Sequence, residues 1–213
     1  MRTISQAVTM TASDPNGVSS SGIENGAVTI DGALASGGVA TFDVPRFFLI
    51  TGDDVNVVSV TFTVVGTNRY GNVMTEAIAG PTGAATAGGT KNFKTITSIT
   101  TSGSTVGLVQ TGTDDSADGA WIPLDHYMTP FEVRVVCAIT AGANLTYGLD
   151  MTLSDVMADG FMEDDAVIFD HGTVNAETAS VNGVIDKVVR AVRLAVTGFV
   201  GGTVTMQLAQ SGQ

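Results

Sequence analysis

The stretch VVSVTFTVVGTNRYGNVMTEAIAGP, residues 57–81, decides the fold class of this chain. Apolar and polar residues alternate along its first half, with one side made of Val58, Val60, Phe62 and Val64 and the other of Ser59, Thr61 and Thr63. A period of two residues is that of a half-buried β-strand. The letters TNRYGN then form a turn, VMTEAIA reads as the return strand, and Gly80 and Pro81 end it. The sequence therefore predicts an antiparallel hairpin here.

The same alternation recurs in residues 131–153, FEVRVVCAITAGANLTYGLDMTL. The apolar side consists of Phe131, Val133, Val135, Cys137 and Ile139, then Leu145, Tyr147, Leu149, Met151 and Leu153. The glycine-containing turn TAGAN between the two halves predicts a second hairpin. Residues 188–210 alternate around Gly201 and Gly202 and predict a third. Apolar spacing in residues 184–192 also fits a helix, but we favour a strand over 188–197.

These strands recur at intervals of roughly 8–12 residues with turn signals between them, which is typical of a sandwich or barrel. The chain also contains 26 glycines, which interrupt helices and supply turns. We therefore predict an all-β fold, a β-sandwich with jelly-roll or Greek-key connections. Residues 37–213 are predicted to be a single domain. Residues 1–36, irregular and rich in Gly, Ser and Asn, are predicted to be an arm or an extra strand that reaches a neighbouring subunit.

The charge balance excludes several partners. With 21 acidic residues against nine Lys and Arg, the net charge is −12, which repels phosphate backbones and anionic lipid surfaces. The N-terminal residues lack the apolar core of a signal peptide, and no apolar run is long enough to span a bilayer, so we expect synthesis in a cytoplasm without cleaved export. Cys137 is the only cysteine and lies on an apolar strand face, where we expect it to be a core residue.

Residues 114–125, DDSADGAWIPLD, match the opening of a calcium-binding loop. Such loops place oxygen ligands at alternating positions before a glycine bend, and the candidates here are Asp114, Ser116, Asp118 and Asp125. However, the last ligand of such loops is normally a glutamate, Pro123 lies inside the segment, and the predicted neighbours are strands. A solvated acidic turn explains the segment equally well, so we expect no metal.

Aromatic residues and prolines cluster in the last part of this segment and just beyond it. We consider Trp121, Tyr127 and Phe131 a possible interaction surface, because aromatic rings can stack on sugars or anchor protein interfaces. The alternative is a plug at the end of the hydrophobic core, since aromatics are only 6% of the chain and a core needs their volume.

No catalytic constellation emerges from the remaining polar residues. Arg69 and Glu76 flank the turn of the first hairpin, where a contact between them would contribute about 0–1 kcal/mol. A glycosidase would need two carboxylates about 5–10 Å apart, and no second carboxylate lies close to Glu76 in sequence. His126 and His171 stand outside any metal or catalytic motif, and no Gly-x-Ser-x-Gly elbow is present. We predict a protein that is not an enzyme and has no cofactor.

The hairpin and its neighbours resemble a loosely defined group of virion proteins from tailed bacteriophages. The resemblance lies in TFDVPRFFLITGDD, VNVVSVTFTVVGTNRYGNVMTEAIAGP, TKNFKTITSIT and STVGLVQTG, within residues 41–113. The C-terminal GGTVTMQLAQSG also resembles the ends of these proteins. Membership would imply a β-rich virion component with no catalytic residues.

From this resemblance we expect a capsid decoration, or cement, protein on the exterior of a phage head. We expect it to be a homo-oligomer that contacts the major capsid protein or other virion proteins, with no nucleic acid or membrane partner. The alternatives are another virion part, such as a head fibre or a tail or tail-fibre component, and a carbohydrate-binding module built on the aromatic cluster.

Overall fold

The computed structural model describes residues 2–210, and strands dominate it, with no α-helix among those residues. The strands are β1 (Arg2–Val8), β2 (Ser19–Gly22), β3 (Asn25–Ala27), β4 (Ala35–Ser36), β5 (Val39–Gly52), β6 (Thr61–Thr67), β7 (Val73–Ala79), β8 (Thr86–Ser104), β9 (Val109–Thr113), β10 (Ala117–Asp118), β11 (Ile122–Pro123), β12 (Val133–Ile139), β13 (Asn144–Thr152), β14 (Ile168–Asp170), β15 (Val181–Ile185), β16 (Ala191–Gly201) and β17 (Val204–Gln210). A single 3-10 turn spans Glu163–Asp165. The paired strands run antiparallel, so the all-β prediction is confirmed.

The chain forms two compact units, whose boundaries differ from the predicted ones. Residues 13–117 make one, the continuous unit, while residues 2–12 and 118–210 make the other, the split unit. Neither boundary coincides with the predicted arm over 1–36 or the single domain over 37–213. Residues 1 and 211–213, which those predictions include, lie outside the described residues. Backbone pairing places the glycine- and serine-rich N-terminal segment in strands of both units, although it has few apolar side chains.

The split unit is a sandwich of two sheets. One sheet has the strand order β1-β17-β12-β15, and the other β10-β16-β13-β14, with β11 also paired to β16. Each sheet has one apolar face with fully buried side chains, as at Val133 and Met206 in the first sheet and Tyr147 and Leu194 in the second. Cys137 is buried on the first sheet, as expected. Burial raises the pKa of its thiol to about 11, which keeps it protonated and unreactive near neutral pH.

The predicted hairpin over residues 131–153 is wrong, although its strands and their apolar sides are correct. Strand β12 pairs with β15 and β17, whereas β13 pairs with β14 and β16 in the opposite sheet. The turn between them is therefore an arch that joins two facing sheets. Alternation of apolar residues indicates which side of a strand is buried. Because an arch and a hairpin both bury that side, alternation does not distinguish them. Leu153, beyond the end of β13, is 59% exposed.

The predicted C-terminal hairpin is a second arch. Strand β16 lies in one sheet and β17 in the other, with Gly202 and Thr203 between them. The two arches are hydrogen-bonded to each other: the Thr140 amide donates to the Thr203 carbonyl at 3.0 Å, and the Thr203 amide donates to the Thr140 hydroxyl at 3.1 Å. Residues 184–192 contain no helix, in agreement with the strand we favoured, but β16 begins only at Ala191.

The continuous unit contains one large sheet with the strand order β2-β9-β5-β8-β6-β7, to which β3 and β4 add short pairings. The hairpin that opened the sequence analysis is confirmed, because β6 and β7 pair without interruption from Thr61–Ala79 to Thr67–Val73. Val58, which we placed on its apolar side, precedes β6 and is 48% exposed. The aromatic side chains of Phe42, Phe48, Phe62 and Phe93 fill the core of this unit.

Candidate interaction surfaces

The segment of the calcium-loop candidates is held by internal contacts. The carboxylate of Asp118 forms an ion pair with Arg193, with 2.7 Å between the Arg193 Nη2 and Asp118 Oδ2 atoms, and both side chains are buried. Asp114, which belongs to the other unit, accepts a hydrogen bond from the Asp115 amide at 2.7 Å. The Asp125 carboxylate accepts from the Tyr127 amide. Within residues 2–210, no group of three or more His, Cys, Asp or Glu side chains is placed to hold a metal ion.

Arg193 is the centre of a buried cluster that the sequence did not reveal. Its Nε donates to Asp150 at 2.9 Å, and its guanidinium lies 4.6 Å from the centre of the Trp121 ring. Burial raises the pKa of Asp150, and the nearby Asp170 carboxylate adds to this, although the Arg193 charge opposes both. The Arg193 guanidinium is shared by two buried carboxylates and an aromatic ring. It therefore holds β10, β13 and β16 in one arrangement.

The three aromatic residues of the proposed surface have different environments. Trp121 is only 6% exposed under Arg193, so it acts as the core plug that we gave as the alternative. Phe131 is half-buried, whereas Tyr127 is 84% exposed. Of the three, Tyr127 alone offers a ring to a partner.

Tyr127 borders an open groove of about 330 Å³ in the split unit. His126 lies against its ring with the two ring centres 4.1 Å apart. The lining also includes Met157 and an ion pair between Arg190 and Asp155, whose closest N and O atoms are 2.7 Å apart. The groove thus combines an exposed aromatic face with charged hydrogen-bonding groups.

His171 is a structural histidine. Its Nδ1 accepts hydrogen bonds from the amides of Thr173 and Val174, at 3.2 and 3.0 Å, and its Nε2 lies 3.2 Å from the Val184 carbonyl oxygen. Because two amides donate to Nδ1, that nitrogen carries no proton, and Nε2 is the donor to Val184. The ring therefore joins the segment after β14 to β15, which belong to opposite sheets.

Glu76 has a structural function in the continuous unit. Its carboxylate is buried and accepts hydrogen bonds from the Thr90 amide at 2.6 Å, the Thr90 hydroxyl at 2.9 Å and the Lys91 amide at 3.3 Å. These amides lie where the pairing of β5 with β8 changes register, from Phe47–Asn92 to Leu49–Gly88. Glu76 thus satisfies backbone donors that the bulge takes out of the ladder. The bulge lies within β8, which begins at Thr86.

The outer side of the same sheet is neutral over β6, β7 and the C-terminal part of β8. We call this surface the threonine-rich face; its outward residues are Thr61, Thr63, Val65 and Thr67 on β6, Val73, Thr75, Ala77 and Ala79 on β7, and Thr95, Ser98, Thr100 and Ser102 on β8. All are neutral in a chain of net charge −12. Of the 21 acidic residues, only the buried Glu76 lies between Asp54 and Asp114. That gap in the acidic residues is a sequence signal for the threonine-rich face, and catalytic motifs do not reveal it.

The structure has no helix, within residues 2–210, that is long and apolar enough to cross a membrane.

Comparisons with known proteins identify no family. No protein-family model matches the chain, and no curated protein matches it.

Proposed function

We propose that this chain is a non-enzymatic structural protein of a tailed-bacteriophage virion, and specifically a capsid decoration protein on the head exterior. It acts as a homo-oligomer bound to the major capsid protein. Two independent features support the proposal. One is the resemblance of residues 41–113 to phage virion proteins, and the other is the distribution of charge over the fold.

The separation of a neutral sheet surface from an acidic remainder is the observation that carries the proposal. An acidic exterior repels nucleic acid, which suits a position outside the shell, away from the packaged genome. A protein present in many copies also needs a surface on which neighbours with the same charge can meet, and the threonine-rich face provides one. Its residues belong to the stretch that resembles the phage proteins.

Quantitative mass spectrometry of purified particles from the phage that encodes the chain tests this function. We expect the chain in the particle at a copy number comparable to that of the major capsid protein. A low copy number would favour the alternative of a fibre or tail component, and absence from the particle would contradict any virion role.

The groove beside Tyr127 supports a second candidate, a carbohydrate-binding module. Sugar rings stack on exposed aromatic faces, and charged side chains such as Asp155 and Arg190 bind their hydroxyl groups. A glycan array with Tyr127→Ala tests it, with Tyr70→Ala as the control because Tyr70 is an exposed tyrosine of the other unit, at 58% exposure. Binding that Tyr127→Ala abolishes and Tyr70→Ala preserves would support this function, and an array without hits would contradict it.

A further inference from the structure

Strand β7 is an open and unusually regular sheet edge. All seven of its residues pair with β6 in unbroken register, and β6 is its only strand partner among the described residues. An edge strand exposes backbone donors and acceptors along its free side, so it can pair with a further strand.

Most of the usual protections of an edge strand are absent from β7. Natural edges are blunted by outward charges, prolines, bulges or inward-pointing charges. In β7 the outward side chains are Val73, Thr75, Ala77 and Ala79, and the only charged residue, Glu76, points inward to the β8 bulge. The opposite edge of this sheet differs, because β2 has only four residues and shifts its register against β9.

The charge distribution indicates which molecule pairs with the free edge of β7. Two copies of a chain with net charge −12 repel each other, and they approach at least cost where no exposed acidic side chain faces the contact. The threonine-rich face, which ends at β7, is such a surface. A basic partner would gain nothing from a neutral edge, whereas a second copy of this chain is best accommodated there.

We propose that β7 pairs with β7 of a second copy in antiparallel fashion, which joins two sheets into one across a two-fold axis. A register centred on Glu76 uses the whole strand and places Thr75 of each copy opposite Ala77 of the other. It also brings the two Glu76 residues opposite each other on the inner side of the sheet, where Thr90 and Lys91 of its own chain hold each carboxylate. The role of this pairing in an assembled particle rests on the proposed function. The pairing makes that function more specific. It names the surface through which copies associate.

Lysines at the edge test the pairing. In Thr75→Lys/Ala77→Lys, each added lysine faces a lysine of the other copy, and like charges directly opposite destabilise strand pairs. The matched control is Ser5→Lys/Ala7→Lys, which adds the same charge to the exposed side of β1, an edge strand of the other unit. Sedimentation velocity of the full chain should show an associated wild type, an unchanged control, and a dissociation constant about tenfold higher or more for the β7 variant.

Three results would overturn the proposal: a monomeric wild type, a β7 variant that associates as the wild type does, or a β1 control that dissociates equally. Circular dichroism establishes whether the variants are folded. Should the lysine variant unfold, disulfide formation between equal amounts of Thr75→Cys and Ala77→Cys chains replaces it. The native thiol does not compete, because Cys137 is buried. Mixed dimers would support the pairing, and their absence would overturn it.

These outcomes are separable from those of the proposed function. A chain that associates through β7 but is missing from purified particles would contradict the virion role and leave the pairing intact. A particle-bound chain whose association is insensitive to the β7 lysines would contradict only the pairing.

Discussion

Buried charges in this protein are paired within the fold. Arg46, for example, is 1% exposed and donates from Nε and Nη2 to the two carboxylate oxygens of Asp43, at 3.0 and 3.1 Å. Burying an ion is costly unless a partner and further hydrogen bonds compensate for the lost water. The contacts of Arg46 with Asp43 therefore stabilise the fold.

Removing the charge of Arg193 tests this interpretation in the split unit. Arg193→Met leaves two buried carboxylates, Asp118 and Asp150, without their cation, and we expect a loss of about 3–5 kcal/mol in the free energy of unfolding. Arg134→Met is the control, because the Arg134–Glu132 pair is exposed and should contribute roughly 0–1 kcal/mol. Urea denaturation measures both, and equal effects of the two substitutions would contradict the interpretation.

Tyr147 should titrate at an unusually high pH for a tyrosine. Burial raises the pKa of Tyr147 from 10.0 to about 12, and its hydroxyl donates to the Ala179 carbonyl, whereas Tyr70 and Tyr127 are exposed. The buried neutral phenol contributes stability that is fully present below pH 10 and is lost as the pH rises through about 12.

Absorbance of the tyrosinate ion measures this difference. The wild type should show a step at high pH, near 12, that Tyr147→Phe removes. A single transition that is the same in both proteins would contradict the burial of Tyr147.

At the scale of strands, apolar alternation predicted which side of each strand is buried but not its pairing partner. Val133 and Val135, or Leu145 and Leu149, lie inward as their spacing indicated. Whether a glycine turn makes a hairpin or an arch depends on packing between the sheets, which a single stretch of sequence does not encode. Trp121 illustrates the same limit, because its burial follows from Arg193, more than 70 residues later in the chain.

The contact between the two arches predicts that alanine substitutions at two adjacent glycines differ in their effect on stability. Gly202 has a φ of +109°, and a Cβ there would lie 2.4 Å from the Ala143 Cβ, so Gly202→Ala combines backbone strain with a clash. We expect a loss of about 1–3 kcal/mol in the free energy of unfolding.

Gly201 provides the matched control for this substitution. A Cβ on Gly201 would meet nothing within 4 Å, and Gly201→Ala should change the stability by only about 0.5 kcal/mol. Thermal or urea denaturation distinguishes the two variants. Similar stabilities would contradict the close packing of the two arches.

At the scale of the whole molecule, the proposed assembly rests on the charge distribution over the fold. The sequence predicted an acidic all-β protein, but the threonine-rich face could not be recognised before the strand register was known, because its residues come from three strands. Burial of Asp118 and Trp121 removes two of the proposed site residues from the surface. The neutral sheet and its open edge remain as the strongest candidate for contact with other copies.

Cryo-electron microscopy of the parent phage particle tests the central proposal most directly. We expect density for this chain repeated over the outer surface of the head lattice, with copies meeting along the sheet edge formed by β7. Density confined to a six- or twelve-fold ring, or a particle that lacks the chain, would contradict a capsid decoration protein.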